Sequence, residues 1–170
     1  IGSVTLTLTS TGNGNCPASV STMVVTITNS PTIANAGPDQ IICGTTTATL
    51  AANTPSTGTG TWSILSGSAT IANPLSPTTT ISGITPGSSV SLLWNISSPG
   101  CLSTGDVVII SGDLVPTTAA AGADQNLCMA TSATMTANTP AVGTGQWSIV
   151  SGAGFISNLT SPTTTITGLL

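Results

Sequence analysis

The feature that most constrains this chain is that it repeats itself. Ala36-Gly37-Pro38-Asp39-Gln40 returns as Ala121-Gly122-Ala123-Asp124-Gln125, and Asn53-Thr54-Pro55 returns as Asn138-Thr139-Pro140. Cys43 returns as Cys128, Trp62-Ser63-Ile64 as Trp147-Ser148-Ile149, and Ser76-Pro77-Thr78-Thr79-Thr80-Ile81 as Ser161-Pro162-Thr163-Thr164-Thr165-Ile166. Every pair sits at one offset of 85 residues without a gap, and more than half of the aligned positions are identical. A period of that length is a small domain in tandem array, not the shorter coil of a solenoid.

The N-terminal stretch follows the same offset: Gly2-Ser3 aligns with Gly87-Ser88, Cys16 with Cys101, and Met23–Ile27 with the run beginning at Val108. This predicts three segments: residues 1–32 as the C-terminal part of one repeat, 33–116 as a complete repeat, and 117–170 as the N-terminal part of the next. Thr167-Gly168-Leu169-Leu170 followed by Ile1-Gly2-Ser3 also aligns with Ser82 to Ser88, so the chain reads as two periods of a longer array. No signal peptide is recognisable at Ile1, which opens directly onto an alternating pattern and predicts an interior piece of something larger.

Within the period, short runs of alternating apolar and Thr/Ser residues are separated by Gly, Pro and Asn clusters. That alternation suits half-buried strands, because β-branched side chains pack well on a pleated surface. Strands are expected near Ile33–Ile42, Thr46–Ala52, Gly60–Leu65, Ala69–Asn73, Thr78–Ser82, Ser89–Ser97 and Asp106–Ser111, with no helix. Breaks fall at Asn53-Thr54-Pro55, at Pro74 and Pro77, and at Thr85-Pro86-Gly87. The predicted fold class is all-β: tandem immunoglobulin-like β-sandwich repeats of about 85 residues. Trp62, Trp94 and Trp147 are the expected core aromatics.

Absences bound the function. The chain holds no Lys, Arg, His, Tyr or Glu, and its formal charges are Asp39, Asp106, Asp113 and Asp124, giving a net charge of -4. General acid–base catalysis draws on side chains with tunable pKa, and a Ser or Thr nucleophile needs a base to take its proton. No catalytic residues are assigned and the chain is not expected to be an enzyme. Without cations it has no means of neutralising phosphates, which argues against nucleic acid and anionic membrane surfaces as partners. No apolar run approaches the ~20 residues of a spanning helix.

Gly37-Pro38-Asp39-Gln40-Ile41-Ile42-Cys43, then Gly58-Thr59-Gly60-Thr61-Trp62-Ser63, Ser76-Pro77-Thr78-Thr79-Thr80-Ile81-Ser82-Gly83, and the late Gly100-Cys101 before Asp106-Val107-Val108-Ile109 carry a resemblance. They resemble the PKD-type, immunoglobulin-like repeats of giant Bacteroidetes cell-surface proteins, a group that includes gliding adhesins and cargo of the type IX secretion system. The resemblance spans the whole chain. It implies secretion to the cell surface and a role in a fibre or filament, or alternatively in the stalk of an adhesin whose ligand-binding tip lies elsewhere. It assigns no binding residues. Family repeats usually carry some Lys, Arg or Glu, and their absence here favours a rod-like structural role. The expected partners are neighbouring repeats, further copies in a fibre, and a glycan or other surface ligand.

Four cysteines, Cys16, Cys43, Cys101 and Cys128, give two per period without the spacing of a zinc site. In a small secreted domain they are expected to form disulfides. Cys43–Cys101 within the complete repeat is the favoured pairing, since it lets the domain close before its neighbour appears; Cys16 and Cys128 would then bond outside the chain. Cys16–Cys43 with Cys101–Cys128 across the junctions, or links between chains, remain alternatives. No cofactor is expected. A calcium site at the repeat junctions, near Asp39, Asp113 and Asp124, falls short of the ~6 oxygen ligands calcium takes, so these residues read as turn caps, and Asp106 reads as a solvated residue at a strand start.

Overall fold

A computed structural model describes residues 2–11 and 14–169. The described residues are all strand, turn and irregular chain, with no helix, and they fall into two units, Ile1–Asp113 and Leu114–Leu170.

The first unit opens with a hairpin, β1 (Gly2–Ser10) against β2 (Ser19–Ile27), which forms a two-stranded sheet of its own. There follow β3 (Gln40–Cys43), β4 (Thr47–Thr49), β5 (Thr59–Ser66), β6 (Thr70–Ile71), β7 (Thr80–Ser82), β8 (Ser89–Ser97) and β9 (Thr104–Asp113). They make a four-stranded sheet in the order β3-β9-β8-β5 and a three-stranded sheet in the order β4-β7-β6. Only the β3–β9 pair is parallel. Both sheets feed one core: Trp62, Val90, Leu92, Trp94, Ile96, Val108 and Ile110 from the first, and Ala48 and Ile81 from the second. Along β8 the even-numbered residues from Val90 to Ile96 are buried and their neighbours are not, the period-2 signature of a strand with one face on a core. The architecture is thus all-β, multi-sheet and consistent with a β-sandwich.

Strand ends differ from expectation where side chains replace the ladder. The run expected as a strand from Ile33 is strand only from Gln40, because Gly37 takes a positive φ of 84° and Pro38 has no N–H to give. The irregular stretch is instead held to β9 by side chains: Ala34 N–H donates to Thr104 Oγ1 (3.1 Å) and Ala36 N–H to Asp106 Oδ2 (2.8 Å). In return, Ile109 N–H donates to Asp39 Oδ1 (2.8 Å). Asp106 is therefore a clamp and not a solvated strand start, and Asp39 binds a neighbouring strand instead of capping its own turn.

The hairpin corrects the repeat alignment by one residue. β2 keeps the offset of 85, but the pairing Val4↔Val25, Leu6↔Met23 and Leu8↔Ser21 repeats Val90↔Ile110, Leu92↔Val108 and Trp94↔Asp106. Val4 thus stands for Val90, so Gly2-Ser3 is not the counterpart of Gly87-Ser88, and the β1–β2 loop is one residue longer than the β8–β9 loop. Directly opposed residues share a face. One face of the hairpin therefore carries Val4, Leu6, Leu8, Met23, Val25 and Ile27, the pattern that β8 and β9 turn to the core.

The second unit contains β10 (Ser132–Thr136), β11 (Phe155–Ile156) and β12 (Thr163–Thr167) in the order β10-β12-β11. This is the β4-β7-β6 sheet repeated one period later, and its hydrogen bonds repeat as well. Asn138 bridges Ala120 N–H and Thr118 O as Asn53 bridges Asn35 N–H and Ile33 O. Gln125 Nε2 donates to Thr134 O as Gln40 Nε2 donates to Thr49 O. The segment around Trp147 is anchored by Trp147 N–H to Leu159 O at 2.8 Å, matching Trp62 N–H to Pro74 O at 2.8 Å.

Candidate functional site

Chemistry-bearing side chains do not converge. Among the described residues no group of three or more His, Cys, Asp or Glu gathers as metal ligands would. Asp39 and Asp106 are each occupied by a backbone N–H of the first unit. Of the three expected core aromatics, Trp62 and Trp94 lie together, ring centroids 5.1 Å apart and tilted by 43°. Trp62 is 2 % exposed and Trp94 0 %. Trp147, the copy of Trp62, is only half-buried.

The structure gives the favoured disulfide no support. All four cysteines are free thiols. Cys43 stands opposite Asp113 at the C-terminal end of β9, whereas Cys101 lies just before Thr104 at the N-terminal end. A ten-residue strand at ~3.3 Å per residue separates them by roughly 30 Å, several times the ~7 Å Cα limit for a bridge. Cys101 Sγ instead lies 3.4 Å from Asn29 O and 3.4 Å from Thr28 Oγ1, in the segment that follows β2. Cys16 is in the β1–β2 loop and Cys128 precedes β10; both are exposed.

What the structure does bring forward is a pair of exposed apolar surfaces. Every residue of β1 and β2 is exposed, including both faces. Leu8 is 75 % exposed and Met23 58 %, although their face has core chemistry.

The second unit is more open. Ala34, Ala36, Leu50, Ala52, Trp62 and Ile81 are buried in the first unit, and none of their counterparts Ala119, Ala121, Met135, Ala137, Trp147 and Ile166 is. Among the described residues of the second unit only Ile156 and Thr164 are buried. A cavity of about 190 Å³ opens beside Trp147, lined by Ala119, Ala121, Ala137, Pro140, Gly145 and neighbouring residues. In the first unit Ala34, Ala36 and Ala52 belong to the same buried cluster as Trp94. The space is reserved backbone-deep: a Cβ on Gly60 would lie 2.1 Å from the Trp94 ring, while on Gly145 its nearest neighbour is Pro140 Cγ at 3.6 Å. A Cβ on Gly67 would meet Ser89 O at 2.4 Å, whereas Gly152, at nearly the same φ (83° and 82°), has open space. The segments matching β3 and β5, near Gln125–Cys128 and Thr144–Ser151, carry no ladder. Sequence reasoning missed these surfaces because the residues that form them look like ordinary core and strand residues.

The chain matches no protein-family model and no curated protein.

Proposed function

We propose that this chain is a structural repeat segment of a long fibre displayed on or secreted from a cell, and not a catalyst. One observation carries the reading: the same sheet, anchored by the same Asn, Gln and Trp contacts, recurs at a period of 85 residues. Selection on such a chain acts on stacking domains, because stability in a tandem array comes from each unit and its interfaces. The absence of cations agrees with close packing of copies, since edge lysines, a usual guard against strand-to-strand association, are missing. Electron microscopy of assembled chain, averaged along any fibre, tests this reading. The expected result is an axial repeat of ~35–45 Å per domain, set by strands of about ten residues plus a junction. Compact, unassociated particles at every concentration, with no axial periodicity in longer arrays of the same repeat, would refute it.

A further inference from the structure

We propose that successive repeats of the array are tied by disulfides, each joining the cysteine at the position of Cys43 to the cysteine at the position of Cys101 one repeat later. The inference rests on reading the chain as a stretch of a tandem array. Each position holds cysteine in two consecutive repeats: Cys43 and Cys128 at one, Cys16 and Cys101 at the other. Within one repeat the two lie at opposite ends of β9, too far apart to bond. What brings them together is the junction. The turn before β9 sits on Thr28 and Asn29, which follow β2. Thr28 Oγ1 donates to Pro99 O (2.9 Å), and Cys101 Sγ lies 3.4 Å from Thr28 Oγ1 and 3.4 Å from Asn29 O. Thr28 and Asn29 are the copies, one period earlier, of Asp113 and Leu114. Asp113 is the residue that Cys43 faces across the β3–β9 ladder. Thiols from two consecutive repeats therefore address one residue position.

They also address it from the same side. Gly112 N–H donates to Ser88 O and Gly112 O accepts from Gly87 N–H, so both groups point toward the chain entering β8. Backbone groups alternate along a strand, which turns the Asp113 carbonyl to the β3 edge. Its copy, the Thr28 carbonyl, lies 4.0 Å from Cys101 Sγ. The face agrees as well. Cys43 and Asp113 are ladder partners and present their side chains on one face, and Cys101 reaches the Thr28 side chain itself. A ladder spacing is ~4.8 Å, inside the ~7 Å Cα limit of a bridge. Cys16 and Cys43 have no such meeting point, because Cys16 precedes β2, at the end away from Thr28. Closure forms one S–S bond and takes one proton and one electron from each thiol. A small disulfide such as oxidised glutathione accepts both and leaves as two thiols. Each domain then carries one bond at either end, and covalent links run along the fibre axis beside the backbone.

Two copies of the full chain joined in tandem, Leu170 to Ile1, place such a pair in one molecule. In the test variant every cysteine is changed to Ser except Cys43 of the first copy and Cys16 of the second, which holds the Cys101 position of the next repeat. A comparator keeps Cys16 and Cys43 of the first copy instead. Both are treated with oxidised glutathione in dilute solution, and free thiols and non-reducing mass are read. The test variant should lose both thiols without a change of mass, while the comparator keeps its own. Retained thiols in the test variant, equal loss in the comparator, or loss only with doubled mass would overturn the proposal. Two variants of the single chain check the geometry without the tandem join. Thr28→Cys should bridge to Cys101 and Asp113→Cys to Cys43, as located by peptide mapping. The absence of either bridge shows that the two thiols do not reach one point, and overturns the proposal too. An axial repeat needs no disulfide, so the fibre reading survives each of these failures and falls only to its own test.

Discussion

A methyl group added at Gly60 and at Gly145 gives the sharpest test of which core is finished. The two glycines are one period apart and neither has a positive φ, so Gly→Ala is sterically allowed by the backbone at both. At Gly60 the new carbon would lie 2.1, 2.4 and 2.9 Å from three atoms of the Trp94 ring. Carbon contacts settle near 3.5–4.0 Å, so the ring must retreat by more than 1 Å. It has no room, being fully buried with Trp62 against it. Overpacking of this kind costs ~1–3 kcal/mol and occasionally more, and the depth of the overlap puts Gly60→Ala at about 3 kcal/mol. With a urea slope of ~1–3 kcal/mol per M, the unfolding midpoint should fall by roughly 1–2 M. At Gly145 the nearest atom is 3.6 Å away, which is ordinary contact. Only the reduced freedom of the unfolded chain acts there, so Gly145→Ala should be neutral or stabilising by under ~1 kcal/mol. Tryptophan fluorescence in a urea titration below the assembly concentration reads both. Equal losses at the two positions, or a Gly60→Ala midpoint within ~0.3 M of wild type, would refute the reasoning that the slot is filled in one unit and open in the other.

Asp39→Ala leaves Ile109 N–H without its acceptor and should destabilise the first unit by ~1–3 kcal/mol. Asn53→Ala breaks two backbone contacts, to Asn35 N–H and Ile33 O, and should cost about 2 kcal/mol in the same urea assay. After oxidation with glutathione, peptide mapping should find no Cys43–Cys101 bridge, because β3 carries Cys43 to the end of β9 opposite Cys101; finding that bridge would contradict the strand order.

Much of the fold was legible because its signals are local. The alternation through Ser89–Ser97 set that strand at both ends, and Thr59–Ser66 extends the expected Gly60–Leu65 by one residue at each end. The Ile33–Asp39 run was not legible as irregular chain, because what holds it lies some 70 residues away in Thr104, Asp106 and Ile109. Two cysteines per period suggested one bridge per domain, but β3 runs parallel to β9 and carries Cys43 to the end opposite Cys101, an arrangement that no local signal in the sequence announces.

The one-residue difference between the two hairpins shows what the repeat preserves. A slip of one position along a strand turns every side chain to the opposite face. Had β1 kept the offset of 85, Thr5, Thr7 and Thr9 would occupy the places of Val90, Leu92 and Trp94, and the core face would be hydroxylic. The extra residue falls in the β1–β2 loop, where it costs little, and restores Val4, Leu6 and Leu8 to the face of Met23 and Val25. Sequence identity is therefore spent freely in β1, which shares few residues with β8, while pairing and face are kept.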